Sequence, residues 1–225
     1  MGVYIMDNYY NAYEKRYKQV HEKNCSWASK NPSPIVLEII KKYNCINSKI
    51  LELGCGEGRD ANFLLENGYN VLATDVSKEA INYCKSINVN NEKSFIVLDA
   101  CSSNLNGRFD FIYSVAVIHM LVLQKDRDKF LSFIKNHLNK NGKALILTMG
   151  DGEYEMETNI EDAFKDTKRV HTDTGKEMMI ASTSCKMVSF KHFEEELLKN
   201  DLRVVEKGIT CIEPDFPTIM YAVVE

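Results

Sequence analysis

Lys49-Ile-Leu-Glu-Leu-Gly-Cys-Gly-Glu-Gly-Arg-Asp60 is the stretch of sequence around which the rest of the chain is arranged. A short apolar run ends at Leu53 and breaks into three glycines at alternate positions, after which apolar residues recur with helical spacing. Glycine adopts positive φ readily and lets a ligand approach the backbone closely. The pattern therefore predicts a buried strand, a tight glycine turn and the start of a helix.

Asp75 ends the next predicted strand, about twenty residues beyond the first glycine, the spacing at which a Rossmann-type fold places a carboxylate on ribose hydroxyls. A dinucleotide fingerprint, G-x-G-x-x-G, would need a third glycine where Arg59 stands, and the Gly-Lys-Ser/Thr of a P-loop is absent. A purely structural turn is the plain alternative. Agreement of strand, helix and acidic strand end favours a nucleoside site.

The run E-L-G-C-G-E-G resembles the first motif of the class I S-adenosylmethionine-dependent methyltransferases. In that family the glycine loop passes under the methionine part of the cofactor, and the acidic residue holds the ribose. The resemblance thus implies S-adenosyl-L-methionine as cofactor and S-adenosyl-L-homocysteine as product. It assigns cofactor binding to Glu52, Gly54, Cys55, Gly56, Gly58, Asp75 and Val76.

Two later strand ends extend the resemblance. The third strand, residues 94–98, ends at Asp99-Ala100, where the family brackets the adenine; a loop carboxylate or helix cap is the alternative for Asp99. The fourth strand runs to Ser114, whose backbone passes the sulfonium in the family. His119 follows as the candidate catalytic residue, because a neutral imidazole can accept a proton near pH 7. A packing or hydrogen-bonding role for His119 is favoured over catalysis.

Strands and helices alternate from residue 50 to residue 149, which implies a parallel sheet with helices on both faces. One helix is expected to end at Asn141-Gly142, with the fifth strand over 143–149. A helix over 190–199 and strands over 203–208 and 218–224 follow. The prediction is an α/β fold: a Rossmann-like, mostly parallel seven-stranded sheet with an antiparallel C-terminal strand.

Two segments fall outside that alternation. In residues 1–33, tyrosines at positions 9, 10, 13 and 17 share one helical face, either packing on the domain or covering the cofactor. Tyr13 and Tyr17 are the candidates for that cover. Trp27, before a proline-containing stretch, resembles the entry segment of tellurite-resistance-type and thiopurine-type methyltransferases, where the segment borders the cofactor, although plugging the core edge is equally consistent.

Residues 150–190 resemble the variable insertion that shapes the acceptor pocket in small-molecule members of the family. Within them, residues 168–180 indicate two extended runs around a Thr-Gly turn. Arg169, His171, Met178 and Met179 are candidates to face that pocket. A solvated hairpin is the favoured alternative for each of them taken singly.

Composition limits the classes of function. The chain has 225 residues, suited to a single domain over 1–225, and a net charge of −4 with no basic cluster, so no nucleic-acid partner is expected. The seven cysteines show no C-x-x-C or zinc-ligand spacing, which favours reduced thiols, a cytoplasmic location and no metal. No membrane contact is expected, and the protein is predicted to be a monomer or homodimer.

The predicted function is methyl transfer to a small-molecule acceptor by in-line displacement. Alignment of donor and nucleophile can supply about 7–11 kcal/mol of the barrier, so positioning is expected to matter more than acid–base chemistry. A methyltransferase acting on RNA or protein is one alternative. A non-catalytic, nucleoside-binding regulatory protein is the other, since fold alone does not establish catalysis.

Overall fold

The protein is built on a seven-stranded sheet, seen in a computed structural model that describes residues 8–27, 29–171 and 174–225. The helices are α1 (Ala12–His21), α2 (Pro34–Lys42), α3 (Arg59–Glu66), α4 (Lys78–Ile87), α5 (Gln124–His137) and α6 (Phe190–Lys199). The strands are β1 (Lys49–Leu53), β2 (Asn70–Asp75), β3 (Phe95–Val97), β4 (Phe109–Val115), β5 (Leu138–Met149), β6 (Met156–Glu157), β7 (Asp166–Val170), β8 (Glu177–Ala181), β9 (Lys186–Met187), β10 (Val204–Ile212) and β11 (Phe216–Val224).

The sheet order is β10-β11-β5-β4-β1-β2-β3. The strands from β5 to β3 pair in parallel, whereas β11 lies antiparallel to both β5 and β10. The order reverses direction at β1 and β4, which is where open α/β sheets bind ligands. The predicted fold, including the antiparallel C-terminal strand, is confirmed.

Helices cover both faces of the sheet because its central strands are apolar on both sides. Successive side chains of a strand point to opposite faces, so Leu51 packs with α5 and α6 while Ile50 packs with α2, α3 and α4. Both leucine and isoleucine here are fully buried. The carboxyl ends of the strands are thereby held at one rim by a packed core on each side.

The predicted end of α5 is wrong. The helix ends at His137, and β5 begins at Leu138, four residues before Gly142. Gly142 does not take the left-handed conformation of a helix C-cap; instead its missing Cβ avoids Asp110 O, which would lie 3.0 Å away. The glycine therefore permits close approach of β4 and β5. The Asn-Gly pair, which predicted a helix end, marks this strand contact instead.

The N-terminal segment folds against the domain rather than extending from it. A 3-10 helix (Tyr9–Asn11) leads into α1, which packs on α4 and on β8. Glu14 Oε2 accepts hydrogen bonds from Ser77 Oγ and Glu79 N, both at the start of α4. His21 lies 2.9 Å from Glu57 Oε1 and 2.9 Å from Glu79 Oε1. Residues 1–7 of the predicted cover lie outside the described residues.

The hairpin predicted within residues 168–180 is present as β7 and β8, which pair antiparallel around a turn. Thr172 and Asp173, which the sequence places within this hairpin, lie outside the described residues. The short strands β6 and β9 form a separate antiparallel pair. Across the described ranges, every helix is too short or too polar to span a lipid bilayer.

Candidate active site

A cavity of about 580 Å³ opens at the carboxyl ends of the parallel strands. Leu53, Asp75, Asp99 and Val115, which end or directly follow β1, β2, β3 and β4, all line it. The opposite wall comes from α1 and from the segment between residues 158 and 185. The sheet thus supplies a fixed floor, and the two loosely predicted segments supply the rest.

The glycine loop is held by the end of β2. Gly54 N and Cys55 N both donate to Thr74 O at 2.8 Å. Asp75 accepts from Gly56 N and from Ser77 N, each at 2.8 Å, one on each carboxylate oxygen. A carboxylate can accept about four hydrogen bonds, so Asp75 has two sites left for a ligand with a pair of hydroxyl groups.

Burial raises the pKa of Asp75 to about 6, against the opposing effect of the backbone donors Ser77 N and Gly56 N. Its side chain lines the cavity while only 7% of the residue is exposed. A carboxylate in this setting is ionised at pH 7 and poorly hydrated, which strengthens the hydrogen bonds it accepts.

Glu52 lies beneath the glycine loop with one oxygen that lacks a partner. Burial raises its pKa well above the usual range, and the neighbouring Asp60 adds to the effect. Its Oε2 makes no hydrogen bond within the described part of the chain. A buried polar atom without a partner is costly, so Glu52 fits a hydrogen-bond donor brought in by a ligand.

Asp99 is half-buried at the far end of the same rim. It accepts from Cys101 N at 2.8 Å, from Ser102 Oγ at 2.7 Å and from Tyr10 Oη at 3.1 Å. Ala100 lines the cavity beside it. The carboxylate is thus oriented by three donors and retains capacity for about one more.

The α1 wall is aromatic, as the tyrosine stripe predicted. Tyr13, Tyr17 and Trp27 line the cavity, and the two tyrosines are nearly fully buried. The Tyr17 hydroxyl lies 2.6 Å from where a Cβ on Gly56 would stand. Tyr17 therefore closes directly over the glycine loop, so the packing interpretation and the covering interpretation describe the same side chain.

His119 lies in a 3-10 helix (Ile118–Met120) that follows β4, with 3% of the residue exposed. Burial, together with the charges of Arg127 and Arg16, lowers its pKa to about 3. Nδ1 has no hydrogen-bond partner among the residues described. His119 lines the cavity as a neutral ring and a poor base, which suits hydrogen bonding to a ligand better than proton abstraction.

Two predicted site residues do not line the cavity. Gly58 precedes α3 at φ +81°, and a Cβ there would lie 3.0 Å from Cys84 Sγ, so its glycine serves the turn itself. Ser114 is fully buried within β4. Val115, Ala116 and Val117 line the cavity in its place. The strand continues one residue beyond the predicted end, which moves the rim away from Ser114.

The sequence patterns did not identify several residues that line the cavity. Tyr10 belonged to the predicted stripe but was not singled out. Arg59 Nη1 donates to Asp215 Oδ2 at 2.8 Å, and its Nη2 donates to Ser33 Oγ at 3.0 Å. The available signal for Arg59 was that it stands where a dinucleotide fingerprint would need a third glycine. Arg16 had no signal, since one arginine in a charged helix resembles a solvated residue.

Of the four residues in the insertion that were predicted to face the acceptor pocket, two line the cavity and two do not. Arg169 and His171 line the cavity. Met178 is buried against Val20, and Met179 is exposed, so neither reaches it. Across the described ranges no three His, Cys, Asp or Glu side chains come together as a metal site.

Comparisons with known proteins agree with this geometry. Residues 51–146 match the family model described as "Methyltransferase domain". The chain is 34% identical over 107 residues to the probable S-adenosyl-L-methionine-dependent methyltransferase TehB of Haemophilus influenzae, covering 44% of this chain and 35% of that protein. It is 24% identical over 102 residues to the 2-heptyl-1-hydroxyquinolin-4(1H)-one methyltransferase of Mycobacteroides abscessus, covering 44% of each.

Among solved structures, the 1,6-didemethyltoxoflavin-N1-methyltransferase of Burkholderia thailandensis superposes with a TM-score of 0.67 at 14% identity, covering 100% of this chain and 92% of that one. Residues 51–146 are thus similar to the methyltransferase-domain family, and the seven-stranded fold is shared with this solved structure. The chain spans less than half the length of these two curated relatives.

Proposed function

We propose that the protein transfers a methyl group from S-adenosyl-L-methionine to a small-molecule acceptor. The observation that carries the proposal is the alignment of the glycine loop, Asp75 and Asp99 along one rim of the cavity. Each of these carboxylates is oriented by backbone donors and keeps hydrogen-bonding capacity toward the cavity.

The residues present fit the donor part by part. Asp75, with two free acceptor sites, suits the two ribose hydroxyls, and Asp99 with the Ala100 backbone suits the adenine edge. Glu52 Oε2, buried without a partner, suits the ammonium of the methionine part. The aromatic rings of Tyr13, Tyr17 and Trp27 suit a positively charged group, which is attracted to ring faces.

The bound donor supplies an electrophilic methyl group, and the protein's contribution is to position the acceptor and exclude water. Tyr17 and α1 cover the glycine loop and keep solvent from the reacting atoms. His119, neutral and without a partner on Nδ1, offers a hydrogen bond that orients the acceptor. Holding the two reactants in near-attack geometry can supply about 7–11 kcal/mol.

A small acceptor is supported by the size and shape of the site. A cavity of about 580 Å³ lies within the range of small-ligand pockets, about 300–1,000 Å³, and must hold the donor as well. The relatives named above carry names that describe methylation of a hydroxyquinolinone and of a toxoflavin precursor. Both are small ring compounds.

Calorimetric titration of S-adenosylhomocysteine into the wild-type protein tests the donor site. We expect binding that is lost or weakened about 100-fold in Asp75→Ala, because two charge-assisted hydrogen bonds disappear. Asp128→Ala, which removes a carboxylate on α5 that pairs with Lys199, is the control and should bind as the wild type does. Equal affinity in Asp75→Ala and the control would contradict the assignment.

Catalysis is tested separately by measuring formation of S-adenosylhomocysteine from S-adenosylmethionine across a panel of small thiols, amines, phenols and acids. Turnover with one class supports the proposal. Tight donor binding without turnover on any of them, but with methylation of tRNA or protein from a cell extract, would favour the macromolecular alternative.

A further inference from the structure

The cavity wall opposite the sheet is basic. The lining residues from α1, from the 3-10 helix that holds His119 and from residues 158–185 include two arginines and two histidines, and none of the lining residues described in these segments is acidic. The carboxylates of the cavity come from the glycine loop, the strand ends and the segment at residue 215. Arg16 and Arg169 are thus the cations of this wall, whereas Arg59, the lining cation next to the glycine loop, is paired with Asp215.

Arg16 is the centre of this basic wall. It is buried, with 6% of the residue exposed. Its Nε donates to Ala181 O at 3.0 Å, and Nη2 donates to Ala181 O at 2.7 Å and to Ser182 O at 2.6 Å. The guanidinium also lies over the rings of Tyr13 and Trp27, at 5.1 Å and 4.7 Å from their centroids. The side chain is therefore held in one position.

No carboxylate in the described part of the chain neutralises Arg16. Its contacts are carbonyl oxygens and ring faces, and within the described residues its hydrogen bonds come from Nε and Nη2 and not from Nη1. Arg127 shows the contrast: it is equally buried, but Glu196 neutralises it with two bonds of 2.6 Å. A buried cation without a counter-ion is unfavourable, so an anion brought in by a ligand would be bound strongly.

We infer that the methyl acceptor carries an anionic group of the carboxylate class, which Arg16 Nη1 binds and the charge of Arg169 attracts. The inference rests on the proposed function and names the substrate class of the same site. Arg16 fixes the orientation of the acceptor through this group, and neutral analogues of the acceptor bind poorly. Because Arg16 is anchored to the carbonyls of Ala181 and Ser182, the 158–185 segment sets where the anion lies.

The methionine carboxylate of the donor is a second source of the same chemistry. The acceptor is the better match because the hydrogen bonds of Arg16 go to the carbonyls of Ala181 and Ser182, and the charge of Arg169 lies near it. On its other side Arg16 stacks on Trp27, whose backbone N donates to Glu57 next to the glycine loop, so the donor is also within reach. The test must separate the two sources.

The test uses protein saturated with S-adenosylhomocysteine and titrated with matched pairs: benzoate and benzamide, phenylacetate and phenylacetamide, quinoline-2-carboxylate and its amide. We expect acids to bind more tightly than their amides in the wild type. Arg16→Met should lower the affinity for the acids about 10- to 100-fold, the effect of losing a charge-assisted hydrogen bond. The affinity for the amides should not change. Arg169→Met should weaken the acids less, and more so at low salt.

Arg203→Met, a change at an exposed arginine paired with Glu225, is the control and should bind all six compounds as the wild type does. Arg16→Lys keeps the charge and should retain part of the preference for acids; Arg169→Met tests the wall without touching the buried contacts. Acids and amides that bind alike, or not at all, in the wild type would overturn the inference.

A different result is expected if Arg16 binds the methionine carboxylate of the methyl donor instead. Arg16→Met would then weaken S-adenosylhomocysteine but leave 5′-methylthioadenosine, which lacks the amino-acid carboxylate, unchanged; that result also overturns the inference. Failure of the wild type to bind S-adenosylhomocysteine would refute the proposed function itself, which the first titration shows before any acid is added.

Discussion

Gly54 directly follows β1 and has φ +76°, a conformation that disfavours residues with a Cβ. The Cβ of an alanine at this position would lie 2.3 Å from Val117 Cγ2, far inside van der Waals contact. The left-handed conformation costs an alanine about 1–2 kcal/mol, and overpacking a rigid site costs about 1–3 kcal/mol. We expect Gly54→Ala to lower the free energy of unfolding by about 2–5 kcal/mol.

Gly68 provides a matched control within the same chain. It has φ +82°, but a Cβ there would meet no atom within 4 Å. Gly68→Ala should therefore lose only the backbone part, about 1–2 kcal/mol. Because Gly54 and Val117 both line the cavity, only Gly54→Ala should also weaken binding of S-adenosylhomocysteine.

Urea unfolding followed by circular dichroism measures both free energies, and calorimetry measures the affinity. The double variant Gly54→Ala/Val117→Ala removes Cγ2 and should be more stable than the sum of its single changes by about 1–3 kcal/mol, the coupling expected of residues in contact. Equal destabilisation at Gly54 and Gly68, or no coupling with Val117, would refute the reasoning.

Three further outcomes are expected. Arg127→Met leaves the carboxylate of Glu196 buried alone and should lower the free energy of unfolding by about 3–5 kcal/mol in urea; a loss below about 1 kcal/mol would contradict this. The hydrogen bond with Glu57 raises the pKa of His21 above its usual value. The stability it adds is therefore complete below the unfolded pKa and is lost as pH rises through the folded pKa. His21→Gln should flatten the stability-against-pH curve above about pH 6.5, and an unchanged slope would count against it. Since Asp75 has a pKa of about 6, affinity for S-adenosylhomocysteine should fall as pH drops below that value, and Asp75→Asn should show no such fall in calorimetry.

The glycine loop and the mostly parallel sheet could be predicted because their signals are local. Glycines at alternate positions, an apolar strand before them and Asp75 after the next strand each report on a few neighbouring residues. The parallel sheet then follows from the alternation of strands and helices. The secondary structure and the residues at the rim of the cavity could therefore be predicted from the sequence.

The basic wall could not be predicted, because it depends on contacts between distant parts of the chain. Arg16 and Ala181 are far apart in sequence, and nothing in either segment alone indicates that they meet. The same holds for Tyr10 and Asp99, which the fold brings to 3.1 Å. The side chains that would select an acceptor are therefore the ones that the sequence predicted least.

The predicted helix end at Gly142 and the predicted end of the fourth strand at Ser114 both differ from the structure. A glycine signals either a left-handed residue or a close approach, and the sequence does not distinguish the two. At Gly142 the glycine is required by the close approach of β4 and not by a left-handed conformation. At Ser114 the strand runs one residue further than its polar residue suggested. Strand and helix ends are decided by tertiary pairing.

The most direct test of the account is a crystal structure of the protein with S-adenosylhomocysteine. The account predicts the ribose hydroxyls on the carboxylate of Asp75, the adenine beside Asp99 and Ala100, and the amino-acid part over the glycine loop next to Glu52. A nucleoside bound elsewhere, or an empty rim in crystals grown with a saturating concentration, would contradict it.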